Sequence, residues 1–295
     1  MLTGTIDKYC YLSVRYMPAF LGFKYNACWS KMERVNKLED IEHSGVRGCL
    51  QYMGIDEGFE INHAGDLPAR SGLGSSSAFT VGMLHALHVL KGKHVTKTQL
   101  AREAIEVEQV VLKETVGIQD QIQCAHGGFN HIEIHRDGEY TVSPVIISVG
   151  RKAALERRLM LFFTGIQRHS SEIADSQVSN IERKEHELKA IQNLVPKALE
   201  AVTNGKLDDV GRLLHETWML KRELSDKVSS DGIDVLYNTA REAGAIGGKL
   251  LGAGGGGFFL FFVPPDRQAS VREAMNGLLD IPFKFEHGGS QIVLS

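Results

Sequence analysis

No apolar run in this chain approaches the ~18 residues that a membrane span requires. The longest, Phe258 to Val263, has the length of a strand and is followed by Pro264-Pro265. The first residues, Met-Leu-Thr-Gly-Thr-Ile-Asp-Lys, lack the basic region and apolar core of a secretory signal. Cysteine is scarce: Cys10, Cys28, Cys49 and Cys124 are widely spaced, and no CxxC or CxxxxH pairing suggests zinc. Scattered cysteines in a soluble chain fit a reducing compartment, the cytoplasm. An excess of either charge is also missing. With 33 Lys and Arg against 36 Asp and Glu the net charge is -3, so the basic footprint of a nucleic-acid binder is absent. No repeat or low-complexity linker interrupts the chain. A composition of 43% hydrophobic and 23% charged residues remains that of a soluble globular protein. Its 295 residues suffice for one large domain or two ordinary ones.

Alternation around Tyr9, Tyr11, Leu12 and Val14 predicts a strand over Tyr9–Tyr16, and Asn26–Val35 reads as another. Ile41–Met53 reads as a short helix stopped by Gly54, and Phe59–His63 as a brief strand. A helix is expected from the serines at 75–77 to about Leu90, ending at Gly92. A second, capped by Thr98, is expected to reach about Glu114. The segment Val116–Asn130 is polar and punctuated by glycine, so Asp120 is expected in a loop. Strands at His131–His135 and Tyr140–Val149 are joined by a turn at Asp137-Gly138. Leu159–Thr164 reads as a buried strand. Two long helices fill Ser171–Ser229, separated near Asn204-Gly205, and Asp234–Ala243 adds a third. A glycine-rich run, Gly244–Gly257, precedes a strand at Phe258–Val263, a helix at Arg267–Leu279 and a closing strand region at Phe283–Leu294. Strands and helices mix without a βαβ rhythm, so the fold class is α+β. The shift from strand-rich to helix-rich near residue 155 suggests domains at 1–155 and 156–295.

The densest chemical signal is Leu67-Pro-Ala-Arg-Ser-Gly-Leu-Gly-Ser-Ser-Ser-Ala78. Gly72 and Gly74 allow a tight turn and close approach of backbone to a ligand. A helix begins directly afterwards, with its N–H groups and positive dipole end facing outward, which suits a phosphate. A glycine turn followed by an ordinary Ser N-cap explains the same letters. The second glycine cluster, Gly247–Gly257, matches GxGxxG at Gly252, Gly254 and Gly257, but its strand follows rather than precedes, so a dinucleotide fingerprint is rejected. Gly248-Lys249 fails as a P-loop because Leu250 follows. A backbone that must approach something closely remains, either a ligand or another loop. Asp120, and Glu108 on the preceding helix, could divide the two carboxylate roles of a phosphotransferase: orienting a hydroxyl and holding magnesium. Solvated acids are the plainer alternative. The histidines are scattered; His131 and His135 share one strand side without a third ligand. Arg168 lies where a strand ends, a place for substrate contacts or for a surface charge.

The order of these pieces resembles the GHMP kinases, the small-molecule kinases named for galactokinase, homoserine kinase, mevalonate kinase and phosphomevalonate kinase. The supporting strings are Ile6–Tyr11, Asp66–Ser77, Val116–Gln121, Gly127–Asn130, Leu161–Gly165 and Gly247–Gly257. The resemblance covers nearly the whole chain and is strongest to the sugar branch, which includes the heptose 7-phosphate kinases. It implies a two-domain fold: an N-terminal domain like ribosomal protein S5 domain 2 and a ferredoxin-like C-terminal domain. It also implies ATP and Mg2+ as cofactors and a sugar-phosphate substrate, heptose 7-phosphate at the anomeric hydroxyl. Other sugar-1-kinases, of fucose or galactose type, are the alternative. By motif position, ATP would lie over Arg70, Ser71, Gly72, Leu73, Gly74, Ser75, Ser76 and Ser77. Gly252, Gly254, Gly255 and Gly256 would close on it. Ser76 and Glu108 would hold the metal, Asp120 would be catalytic, and Lys8 and Arg168 would contact substrate. Relatives carry a strand and a Gly-Gly-Gly-Thr-Asp segment some thirty residues before the Ile6–Tyr11 string, where this chain starts at Met1. An exposed sheet edge and impaired catalysis, or a non-catalytic nucleotide binder, are the expectations attached to that difference, and a homodimer is a separate expectation. No membrane or nucleic-acid partner is expected.

Overall fold

A computed structural model describes residues 1–69, 71–166 and 170–294. The chain forms two compact units interleaved in sequence. The first comprises Met1–Gly4, Arg70–Leu73 and Phe129–Phe285, and the second Thr5–Ala69, Gly74–Gly128 and Glu286–Ser295.

In the first unit, β8 (Leu159–Phe163), β9 (Gly247–Leu250), β10 (Phe258–Phe262) and β11 (Leu279–Asp280) form one antiparallel sheet in the order β11-β8-β10-β9. Between β8 and β9 run α6 (Ser170–Val178), α7 (Glu185–Thr203), α8 (Leu207–Arg222) and α9 (Asp231–Glu242), and α10 (Gln268–Ala274) precedes β11. Strand, helix, strand, strand, helix, strand in that spatial order is the ferredoxin-like arrangement expected for the C-terminal half. Alternation explains the layering. Phe259, Phe261 and Phe162 point to one side and are buried with Trp218, Ile233 and Tyr237. Phe262 points to the other side, with Leu155 and Val202. The helical break expected at Asn204-Gly205 occurs there, but the region holds three helices rather than two.

The same unit contains β1 (Leu2–Ile6) as far as Gly4. Leu2–Gly4 pair antiparallel with β6 (Phe129–Ile134), and β6 with β7 (Tyr140–Pro144). The β6–β7 turn lies at Asp137-Gly138 as expected. Sequence alternation missed β1, which is short and interrupted by Gly4. The order β12-β1-β6-β7, with β12 at Phe285–Glu286, makes β1 an interior strand. The strand expected to run to Val149 ends at Pro144, and a short α5 (Val149–Glu156) begins where it was expected to end.

In the second unit, β2 (Cys10–Tyr16), β3 (Tyr25–Cys28), β4 (Met32–Val35) and β5 (Phe59–Gly65) form a mixed sheet in the order β2-β5-β3-β4. Asn26–Val35 is thus a hairpin, not one strand. β2 lies at the sheet edge, and its outward residues include Tyr11 and Arg15. Three helices accompany the sheet: α1 (Ser44–Met53), closed by Gly54 in the left-handed region, α2 (Ser75–Leu90) and α3 (Lys97–Glu106). Leu50, Met83, Leu84, Leu87, Ala101 and Ala104 are buried. The N-cap of α3 is Thr96, whose hydroxyl accepts from Gln99 N, rather than Thr98. An eight-residue α4 (Gln119–His126) occupies what the sequence reads as loop. Among the described residues, no helix is long and apolar enough to cross a membrane.

Candidate active site

Gly74 anchors the chemistry of the second unit. Its φ of +69° lies in the left-handed region, and it caps α2 without a side-chain hydrogen bond. The N–H groups of the first helical turn therefore lack a capping side chain and carry the positive end of the helix dipole. Ser76 is exposed on that turn, whereas Ser77 is buried.

Asp120 reaches this turn from α4. A Cβ built on Gly74 would lie 3.2 Å from both Cγ and Oδ2 of Asp120, so the carboxylate packs directly on the glycine. The sequence expectation of a loop at Asp120 is corrected: it sits in the first turn of α4. That helix has only eight residues and no side-chain N-cap, so it leaves little periodicity to detect.

Glu108 lies in a π-helical turn, Val107–Val111, that continues α3. It is fully buried. Its Oε2 accepts from Ser77 Oγ at 3.1 Å and from Gln121 Nε2, while Oε1 has no hydrogen-bond partner. Burial pushes this carboxyl up to about 6, against hydrogen bonds from Thr80, Gln121 and Ser77 that favour the charged form. The structure brings Glu108 to Ser77 and leaves Ser76 pointing outward. Ser77 and Gln121 are thus site residues that sequence reasoning did not connect to Glu108. The only hint was adjacency: each follows a residue already assigned a role. Cys124 Sγ lies 4.0 Å from Gly74 O, and desolvation holds its thiol well above the ordinary value.

These donors fit magnesium. The available groups are hard oxygens, and one buried carboxylate oxygen lacks a partner. No cluster of three or more His, Cys, Asp or Glu suited to a metal occurs among the described residues. Magnesium needs none, because it keeps waters and takes phosphate oxygens beside one or two protein ligands.

In the first unit the two glycine-rich segments meet backbone to backbone. A Cβ on Gly72 would lie 2.9 Å from Leu251 O, and one on Gly252 would lie 2.5 Å from Gly72 Cα. Gly257, with φ +95°, passes so close to Ser71 that any side chain would overlap its carbonyl oxygen. The close approach left open by the sequence is therefore, in part, one loop packed on another. The amides of Gly255 and Gly257 are also committed, to Val228 O and Ile166 O at 2.8 Å each. Gly254 packs on Val228, where a Cβ would lie 2.8 Å from the carbonyl oxygen, and Gly256 packs on Ile166. Ser71 is fully buried and its hydroxyl has no partner, and Leu73 is half-buried. The first four residues of the glycine-rich cluster, Gly247–Leu250, form β9 rather than loop. Lys8 is paired with its neighbour Asp7, Nζ to Oδ1 3.1 Å. Arg70 and Arg168 lie outside the described residues.

Residues 42–128 match the family model described as GHMP kinases N terminal domain, and residues 198–280 match that described as GHMP kinases C terminal. D-glycero-alpha-D-manno-heptose 7-phosphate kinase of Campylobacter jejuni is 31% identical over 74% of this chain and 65% of its own length. The chain thus spans just under two thirds of that relative. Galactokinase of Pyrococcus furiosus is 28% identical over 78% of this chain and 72% of its own. Among solved structures, a D-glycero-D-manno-heptose 1-phosphate kinase from Bacteroides thetaiotaomicron aligns with a TM-score of 0.77 at 24% identity, covering 98% of this chain and 88% of that one. That likeness concerns the fold.

Proposed function

The chain belongs to the GHMP kinase family, and from that premise we propose that it is an ATP- and Mg2+-dependent kinase of a sugar phosphate. The acceptor we infer is D-glycero-D-manno-heptose 7-phosphate, phosphorylated at the anomeric hydroxyl to the 1,7-bisphosphate. The Campylobacter relative supports this choice, and the galactokinase relative supports a plain sugar as the second candidate. The observation that carries the reading is the Asp120 carboxylate packed on Gly74, at a helix start with no side-chain cap. A carboxylate there can accept the proton of an acceptor hydroxyl beside phosphate held by the helix N-terminus.

In this reading, Gly72 to Ser77 cradle the phosphates and Asp120 orients and deprotonates the hydroxyl. The hydroxyl oxygen bonds to the γ-phosphorus, the bond to the β–γ bridging oxygen breaks, and ADP leaves. Glu108 and Ser76 would hold Mg2+, which when bound neutralises charge on the phosphate oxygens. Ser77 and Gln121 donate to Glu108 and so orient it. Gly252, Gly254 and Gly256 remain proposed nucleotide contacts. Gly255 contributes shape rather than its amide, which is already bonded. Lys8 and Arg168 are proposed substrate contacts. The domain division at 1–155 and 156–295 is retained as a proposal, because the two family matches fall on either side of it. Four free thiols support a cytoplasmic location, and a homodimer is the proposed assembly.

The test is ADP release by the purified chain with ATP, Mg2+ and a panel of heptose 7-phosphate, galactose, fucose and mevalonate. Product phosphorus NMR identifies the hydroxyl phosphorylated. Turnover highest with heptose 7-phosphate is expected. Turnover only with an unphosphorylated sugar would replace the substrate, and ATP binding without turnover on any acceptor would sink the kinase reading.

A further inference from the structure

α4 carries Asp120 on its first turn, where Gln121 bonds Glu108 and Ile122 is fully buried. The helix is two turns long and its N-cap, Ile118, makes no side-chain hydrogen bond. Further anchors lie at the other end, and several come from the segment after β12. Ser290 N donates to Cys124 O at 2.9 Å, about one helical turn beyond Asp120. Gly289 packs so tightly on Ala125 that a Cβ would overlap the Ala125 carbonyl, and Gly127 meets Gly288 and Gly289 in the same way. The Ser290 hydroxyl also bonds His85 Nδ1 at 2.9 Å, on the body of α2.

The contacts close a ring. Gly74 starts α2, and His85 lies farther along it. His85 meets Ser290, Ser290 holds the Cys124 carbonyl, and the Cys124 thiol returns to Gly74 O. The segment is itself moored. Glu286 accepts from Tyr9 Oη at 2.9 Å and from Gly288 N at 3.0 Å, and its carbonyl accepts from Thr5 Oγ1 at 2.8 Å. A helix of eight residues moves as a rod, so slack at the Cys124 end is transmitted to Asp120 one turn away.

We propose that Ser290 is a positioning residue: by joining His85 of α2 to the Cys124 carbonyl of α4, it holds Asp120 against Gly74. The proposal rests on the reading of Asp120 as the catalytic carboxylate. It assigns catalytic competence to a segment some 170 residues away in sequence, outside both family matches.

The experiment compares the wild-type chain with S290A, S290T and D120N. Amide exchange over Ile122–His126 is followed without any acceptor, and kcat and KM for ATP are measured with the best acceptor of the panel. One lost hydrogen bond predicts about fivefold faster exchange in α4 and about fivefold lower kcat in S290A, with KM for ATP unchanged. S290T, which keeps the hydroxyl, recovers most of both. Unchanged exchange and kcat in S290A overturn the proposal. A fall in apparent kcat no larger than the fall in folded fraction, measured by a thermal melt of the same sample, overturns it too. Full activity in D120N instead removes the catalytic reading of Asp120, while the exchange data still report whether Ser290 anchors α4.

Discussion

The two glycine-rich regions use the same residue for opposite ends. At Gly74, glycine leaves space: no side chain caps α2, and the vacated volume admits the Asp120 carboxylate. Across Gly252–Gly257, glycine removes space: backbone packs on backbone at Gly72, Ser71, Val228 and Ile166, and two amides are consumed internally. A run of glycines in sequence announces a close approach but not its object. The first region leaves a helix start without a side-chain cap, whereas the second spends much of its freedom on the protein itself.

Substitutions can break that contrast. The largest effect is expected from D120N, with kcat about 10³-fold lower and the melting temperature nearly unchanged, because a positioned acid or base contributes in that range. Steady-state kinetics beside a thermal melt checks both halves. Next, G257A should cost about 3 kcal/mol of stability, since it combines left-handed strain with overlap on the Ser71 carbonyl. G74A should cost only about 1 kcal/mol, because its Cβ meets a side chain that can shift. Its damage should appear instead in kcat, as Asp120 is pushed aside. Denaturant titration and kinetics on both variants decide the matter; equal stability losses would erase the distinction between the regions.

Glu108 sharpens the comparison through pH. Burial raises its carboxyl from 4.5 in the unfolded chain to about 6, so the folded state binds the proton more tightly. Stability from this group is fully present below pH 4.5 and is lost as pH rises through 6, a change of about 2 kcal/mol in metal-free protein. E108Q should flatten that part of the stability–pH profile measured by chemical denaturation. The smallest effects separate the neighbouring serines. S77A should cost about 1 kcal/mol by removing a buried donor to Glu108, whereas S76A should leave stability unchanged and raise the Mg2+ concentration needed for half-maximal rate.

Much of the fold was legible because its signals are local. The α1 helix and its Gly54 stop follow from apolar spacing and a residue that tolerates positive φ. The β6–β7 turn follows from Asp137-Gly138. Phe258–Phe262 is apolar on both sides because both faces of its sheet are covered. Elements without a local signal escaped. β1 is five residues with a glycine inside, α4 has no cap and two turns, and the π turn at Val107–Val111 carries no recognisable period. The cap of α3 was misassigned by two residues because Thr96 and Thr98 are equally suitable as letters.

By itself the sequence determined the α+β class, the family, and the identities of Gly74, Glu108 and Asp120 as candidates. Motif order and residue chemistry are properties of the chain and need no coordinates. Only the tertiary structure decided which serine meets Glu108, that Asp120 rests on Gly74 from a helix, that Gly257 faces Ser71, and that Ser290 ties α4 to α2. Such pairings depend on where residues 31 to 205 positions apart come to lie, and packing, not local preference, sets those distances.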